Sequence, residues 1–194
     1  MNVETVLIYE PDKTENYYPF SIMHCIWEIR CGALRIFEKI NALFPDRKIS
    51  YYGRKEHLDS FLARTQIVNP DLGLGNSLAI DGSVIPAENF YEEVAMAVDN
   101  EDTSILLTHE GEIIGGFFRS EDLENDPSYN NPMVLSNLKG EFFADHKRIE
   151  IKNVKKINYL WDTIYENGNE IEADLSILKP ELKKYGNDNF WGVY

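Results

Sequence analysis

Eight basic side chains, Arg30, Arg35, Lys39, Arg47, Lys48, Arg54, Lys55 and Arg64, fall within residues 30–64 against four acidic ones, in a chain of formal net charge −14. A locally cationic segment in an acidic protein is where an anionic ligand would settle, because its field opposes that of the whole. Composition alone favours a plainer reading, an ordinary solvated helix face. The acids gather elsewhere: residues 88–126 hold twelve of them and one basic side chain, Arg119. The overall balance argues against nucleic acid as a partner, where a basic footprint is the norm.

Other chemistry is scarce. Cys25 and Cys31 are the only cysteines, with no CxxC pair, and His24 beside Cys25 lacks the further ligands a zinc site needs. Both thiols therefore read as buried and reduced. There is no GxxxxGK loop, no GxGxxG after the first strand, no GxSxG elbow and no HExxH. Gly73-Leu74-Gly75 is a lone GxG in a loop, far weaker than a dinucleotide fingerprint. Gly115-Gly116 falls inside a predicted strand, where a bulge or close packing accounts for it. His57 and His109 read as surface residues rather than general bases.

The elements that would position a site alternate in type. Residues 5–10 are a short apolar run ended by Pro11, a buried strand. Apolar residues at helical spacing predict a helix over 27–44, stopped by Pro45. Strands are predicted at 48–52 and 77–80, with an amphipathic helix at 56–65 between them and another at 88–98 after them. Residues 104–108 and 112–118 read as an antiparallel hairpin. A short strand at 148–151 and helices at 159–166 and 170–178 follow. This order predicts an α/β protein: a Rossmann-like, three-layer, mixed and mostly parallel sheet with helices on both faces and an antiparallel hairpin. Ligands of such sheets bind beyond the carboxyl ends of the strands, which here are residues 9–12, the Gly53 loop and residues 81–86. At 194 residues one domain is expected, the last 15 or so residues forming a linker. No apolar stretch suits a membrane span, and the N-terminus lacks a basic leader, so a cytoplasmic location is expected.

Three segments carry a resemblance. Residues 19–39, PFSIMHCIWEIRCGALRIFEK, resemble a stretch near the N-terminus of bacterial sugar nucleotidyltransferase-like proteins related to N-acetylglucosamine-1-phosphate uridylyltransferases. Ala79-Ile80-Asp81-Gly82-Ser83-Val84-Ile85-Pro86 resembles that family's "INGRLLP" after a central strand, and Tyr159-Leu160-Trp161-Asp162-Thr163-Ile164 a segment before its last helices. The three occur in the family's order.

The resemblance implies an Mg²⁺-dependent enzyme that joins a nucleoside triphosphate to a hexose or hexosamine 1-phosphate and releases pyrophosphate. It implies Arg30 as the catalytic phosphate contact, oriented by Glu28, with Gly32 giving close backbone approach and Asp81-Gly82 binding substrate. Asp81 is the implied metal or sugar-hydroxyl ligand, and Lys39 is expected to face solvent. Partners would be a nucleotide and a sugar phosphate, without nucleic acid or membrane; a homo-oligomer or a following β-helix acyltransferase domain is left open. The chain departs from the pattern where relatives carry a glycine-rich triphosphate loop: here Tyr9-Glu10-Pro11-Asp12-Lys13 follows the first strand. Two alternatives therefore stand beside the enzyme: an inactive nucleotide-sugar-binding or assembly domain of the same fold, and an unrelated α/β domain whose matches are chance.

Overall fold

The computed structural model describes residues 2–73, 75–126 and 131–182. Leu74 and most of the stretch read as a linker lie outside them. The first strand, β1 (Thr5–Tyr9), is buried along its whole length, as an uninterrupted apolar run requires when both faces of a sheet are covered. It pairs in parallel with β2 (Lys48–Tyr52) on one side and β3 (Ser77–Asp81) on the other, so Tyr9, Tyr52 and Asp81 end level with one another. β3 is followed by β4 (Val84–Pro86), and β5 (Ile105–His109) and β6 (Glu112–Phe118) form the expected hairpin. β6 lies antiparallel to β3, and β7 (Lys147–Glu150) lies parallel to β5. The six-stranded order is β2-β1-β3-β6-β5-β7, mixed and mostly parallel. A second, two-stranded antiparallel sheet pairs β4 with β8 (Val154–Lys156); three-residue strands carry too little periodicity to read from sequence.

Alternation along β1 sorts the core. Val6 and Ile8 face α1 (Ile36–Leu43), α2 (Lys55–Thr65) and α3 (Phe90–Asp99) through Ile36, Phe37, Ile40, Phe61, Phe90 and Val94. Leu7 and Tyr9 face a smaller cluster with Leu72 from the loop before β3, Leu135 from the single-turn helix α5 (Pro132–Leu135), which follows α4 (Ser120–Asn125), and Phe143 from the segment after it. Both cysteines are buried and unpaired, as their context predicts. No helix among the described residues is long and apolar enough to cross a membrane.

Three expectations are corrected. The helix predicted over 27–44 begins only at Ile36. Ile26–Glu28 is instead a 3-10 turn, and Arg30 and Arg35 face each other across an isolated antiparallel bridge. Gly32 stands at φ +88° in that turn, a conformation that side chains other than glycine's rarely adopt, and a Cβ there would collide with the Glu170 backbone and Asp174. The two helical patterns near the C-terminus join into one helix, α6 (Asp162–Leu182).

α6 explains the third correction, because Lys39 is buried rather than solvent-facing. Its ammonium lies 2.9 Å from Glu170 Oε2 and bonds Asp174 Oδ1. Asp174 Oδ2 also accepts from the backbone N–H groups of Ala33 and Leu34, and Asn167 Oδ1 accepts from Gly32 N–H. A buried ion pair adds little over an apolar contact, but losing one partner strands the other charge. Lys39→Ala should therefore destabilise the fold by about 3–5 kcal/mol in denaturant titration, and adding Glu170→Gln and Asp174→Asn should recover part of the loss. An unchanged midpoint for Lys39→Ala would contradict this reading of the clasp.

Candidate functional site

The level ends of β1 and β3 open into a cleft of about 270 Å³. Five chain segments build it. Tyr9 leads into Pro11, Asp12 and Lys13; Asp81 closes β3; Glu112 and Ile113 begin β6, which runs antiparallel to β3; and Ser136, Leu138 and Lys139 follow α5. The small sheet supplies the last wall. Pairing of Val84 with Lys156 sets that lysine beside Asp81, and the chain continues through Asn158 and Tyr159 along the cleft. The segment after β1 is tied to this wall by Tyr17 Oη donating to Ile157 O at 2.7 Å and Asn16 Nδ2 to Asn158 O at 3.2 Å. Pro11, Asp12 and Ser136 also border an adjoining pocket of about 240 Å³ that holds Tyr52, Gly53 and Arg54. All three strand ends singled out in the sequence thus meet here.

Asp81 is the cleft's buried charge, 4% exposed. Its Oδ1 accepts from Ser83 N–H at 2.9 Å and from Ser83 Oγ at 2.7 Å, while Oδ2 stands 3.9 Å from the Lys156 ammonium. Burial raises its pKa above the ordinary aspartate value, and Lys156 and the Ser83 hydrogen bonds only partly oppose that. Lys156 is itself held by Glu112 Oε2 at 2.5 Å, which lowers the Glu112 pKa through that hydrogen bond and charge. Tyr9 and Tyr17 have raised pKa values, desolvation by burial being the largest cause, so both are neutral donors at physiological pH. Lys13 and Lys139 enter no ion pair among the described residues. The cleft therefore holds two ammonium groups outside any close ion pair, whose charge acts on Asp81 and Glu112 across it, with several amide and hydroxyl groups in the same lining. At its rim the Tyr159 ring stacks on Trp161, with centroids 4.6 Å apart and planes 5° from parallel.

The donor set tests the expected metal. Among the described residues no three His, Cys, Asp or Glu side chains gather as an ion site, and one Asp81 oxygen is committed to Ser83. Mg²⁺ commonly takes one or two protein carboxylates and completes its shell with phosphate oxygens and water. The residues present fit an ion that arrives with a polyphosphate, through Asp81 Oδ2, and not a resident one.

The sequence-predicted residues do not all assemble. Asp81 lines the cleft. Gly82 does not: its N–H donates to Tyr9 O at 2.7 Å, and a Cβ would press on Tyr9 O and the Trp27 ring, so it is glycine for packing beneath the site. Glu28 and Arg30 border a different cavity, of about 410 Å³, that shares no lining residue with the cleft. Arg30 was expected beside Asp81 and oriented by Glu28. Instead its guanidinium bonds Ala33 O, and Glu28 accepts two bonds from Arg64, at 2.7 and 2.9 Å. Gly32, read as a site of close ligand approach, serves the contact with α6. Lys13, Lys139, Lys156 and Glu112 were not singled out from sequence. Only Lys13 carried a signal, as the cation following the first strand's turn.

Comparison with known proteins agrees with this architecture. The family of sugar nucleotidyl transferases matches the chain over residues 6–182. A provisionally assigned glucose-1-phosphate thymidylyltransferase from Bacillus anthracis, solved in complex with a sucrose, superposes with a TM-score of 0.57 at 11% identity, covering 88% of this chain and 96% of that one. The CTP:phosphocholine cytidylyltransferase of Streptococcus pneumoniae gives 0.50 at 13% identity, covering 87% and 99%. At such identities the two structures speak for the fold alone. No curated protein matches in sequence. A family match of this length removes the reading of an unrelated domain with chance motifs, and it does so for sugar nucleotidyl transferases as a class rather than for the uridylyltransferases in particular.

The raised pKa of Asp81 fixes a sign. The folded state binds this proton more tightly than the unfolded state, so the carboxylate lowers stability increasingly as pH rises from the ordinary aspartate value of about 4. Asp81→Asn should raise the melting temperature at pH 7, with the gain fading below about pH 4. A variant less stable at pH 7 than at pH 4, relative to wild type, would contradict the assigned cause.

Proposed function

The chain belongs to the sugar nucleotidyl transferase family, and on that premise we propose that its cleft transfers a nucleotidyl group from a nucleoside triphosphate to a hexose or hexosamine 1-phosphate. The observation that carries this reading is the meeting of Lys13, Lys139 and Lys156 around buried Asp81 at the level ends of β1 and β3. A sugar-phosphate oxygen, already ionised at neutral pH, attacks the α-phosphorus. The new O–P bond forms as the bond to the β-phosphate bridge breaks, and pyrophosphate leaves with the electron pair. No proton need be removed from the nucleophile, so the site requires no general base; its task is to align two anions and offset their charge. Lys13 and Lys139 are placed for the charge, and Asp81 for sugar hydroxyls or for the Mg²⁺ that accompanies the triphosphate and screens its oxygens. Tyr159, backed by Trp161, offers a flat apolar face to a base or sugar ring at the rim.

A second reading, binding of a nucleotide sugar without turnover, is favoured by one observation. The turn after β1, where relatives are expected to cradle a triphosphate with glycines, holds the buried Glu10 carboxylate, already satisfied by Ile26 N–H and by Arg54.

Pyrophosphate release from UTP, dTTP or CTP with Mg²⁺ and a panel of sugar 1-phosphates separates the two. Transfer predicts release that falls about 10²-fold in Lys139→Ala. Absence of release, with thermal stabilisation by a nucleotide sugar worth about 2.7 kcal/mol at roughly 100 times its Kd, would establish the binding reading in its place. Neither response would sink both.

A further inference from the structure

The second cavity has an unusual electrostatic composition. It is lined by Phe20, His24, Glu28, Arg30, Arg35, Arg64 and Thr65. Arg30 and Arg35 stand opposite each other across an antiparallel bridge, so their side chains leave the same face of the turn. Like charges directly opposed in this way are destabilising unless something lies between them. Neither guanidinium has an ion-pair partner among the described residues. Arg30 donates to Ala33 O, and Arg35 leans toward the Phe37 ring, 6.0 Å from its centroid. The one carboxylate of the cavity, Glu28, has both oxygens taken by Arg64 and one of them also by Cys25 N–H at 3.0 Å, so it neutralises Arg64 and leaves the other two uncompensated. Arg64 is in turn fixed by Ser60 Oγ at 2.6 Å. In a chain of net charge −14, two uncompensated guanidinium groups converging on a cavity of about 410 Å³ form an isolated cationic pocket.

We propose that this pocket is a second anion-binding site, separate from the Asp81 cleft, that takes the phosphoryl groups of a phosphate or diphosphate ester. Guanidinium forks match phosphate oxygens in pairs, and a phosphoryl group between Arg30 and Arg35 removes their mutual repulsion while using donors that the protein leaves open. The Phe20 ring, stacked on His24 at 4.8 Å, gives the rest of such an ester an apolar wall. The cationic character of residues 30–64 thus serves a ligand, at a place other than the strand ends. The inference does not rest on turnover in the cleft.

Titration of the ¹⁵N-labelled full-length chain with inorganic pyrophosphate tests it. Saturable shifts of the Arg30, Arg35 and Thr65 amides are expected in the wild type. They should weaken about tenfold or more in Arg30→Ala/Arg35→Ala, as loss of charged hydrogen bonds implies, and persist in Lys156→Ala, which alters only the cleft. Arg30→Lys/Arg35→Lys keeps the charge but loses the fork; an intermediate affinity with an otherwise unchanged spectrum separates recognition from a folding defect. Shifts at these amides that do not saturate, that survive the double alanine change undiminished, or that vanish with Lys156→Ala would overturn the proposal.

Discussion

A carboxylate buried in the turn after β1 holds the cleft-bearing end of the sheet together. Glu10 is 8% exposed. One of its oxygens accepts from Ile26 N–H and Arg54 Nη2, and the other from Arg54 N–H and Nε. Arg54 continues the network to the carbonyls of Ser21 and His24. Three separate pieces of chain are joined through one side chain: the exit of β1, the turn from β2 into α2, and the irregular segment around residues 20–28. A buried charge with this many partners tolerates loss of any one of them poorly, because the remainder cannot be resolvated. The close approach of Gly53 to the same carboxylate leaves no space for a side chain there.

That constraint shapes both cavities. The Glu10 carboxylate is spent on Ile26 N–H and Arg54, so on the proposed reading an incoming anion would be met by side chains farther along. Lys13, Lys139 and Lys156 line the cleft from three distant parts of the sequence, brought together by the exit of β1, the segment after α5 and the two-stranded sheet. The same network holds Ser21 and His24 in place, and so shapes the wall of the arginine pocket beyond. The cations of residues 30–64 divide accordingly: Arg54 is consumed in the network, Lys39 in the clasp with α6, and Arg30 and Arg35 remain open.

What could be read in the sequence follows from range. β1, β2, β3 and the hairpin are apolar runs bounded by proline or glycine, and local pattern suffices for them. Asp81 was legible because a strand ending in Asp-Gly marks a sharp exit at the sheet's carboxyl end. The start of α1 was not. Ile29, Ala33 and Ile36 repeat at helical spacing, but a positive φ at Gly32 and the contact with α6 override that period. Lys39 looked solvated because its partners, Glu170 and Asp174, lie more than 130 residues away. Lys156 was invisible for the same reason, since a three-residue strand reveals nothing until β4 pairs with it. The resemblance pointed to sugar nucleotidyl transferases as a class, and it grouped Arg30 with Asp81 although the two line different cavities, because order along the chain does not say which side of the residue 20–28 segment a side chain faces.

The account stands or falls on the cleft as the place where a nucleotide sugar lies. Hydrogen–deuterium exchange of the full chain with and without a bound nucleotide sugar measures that directly. Protection should appear together in residues 9–17, 81–83, 136–139 and 154–159, which are separate in sequence and adjoin only at this cleft. Binding accompanied by protection confined to residues 20–35 and 64–65, with those four segments unchanged, would contradict it.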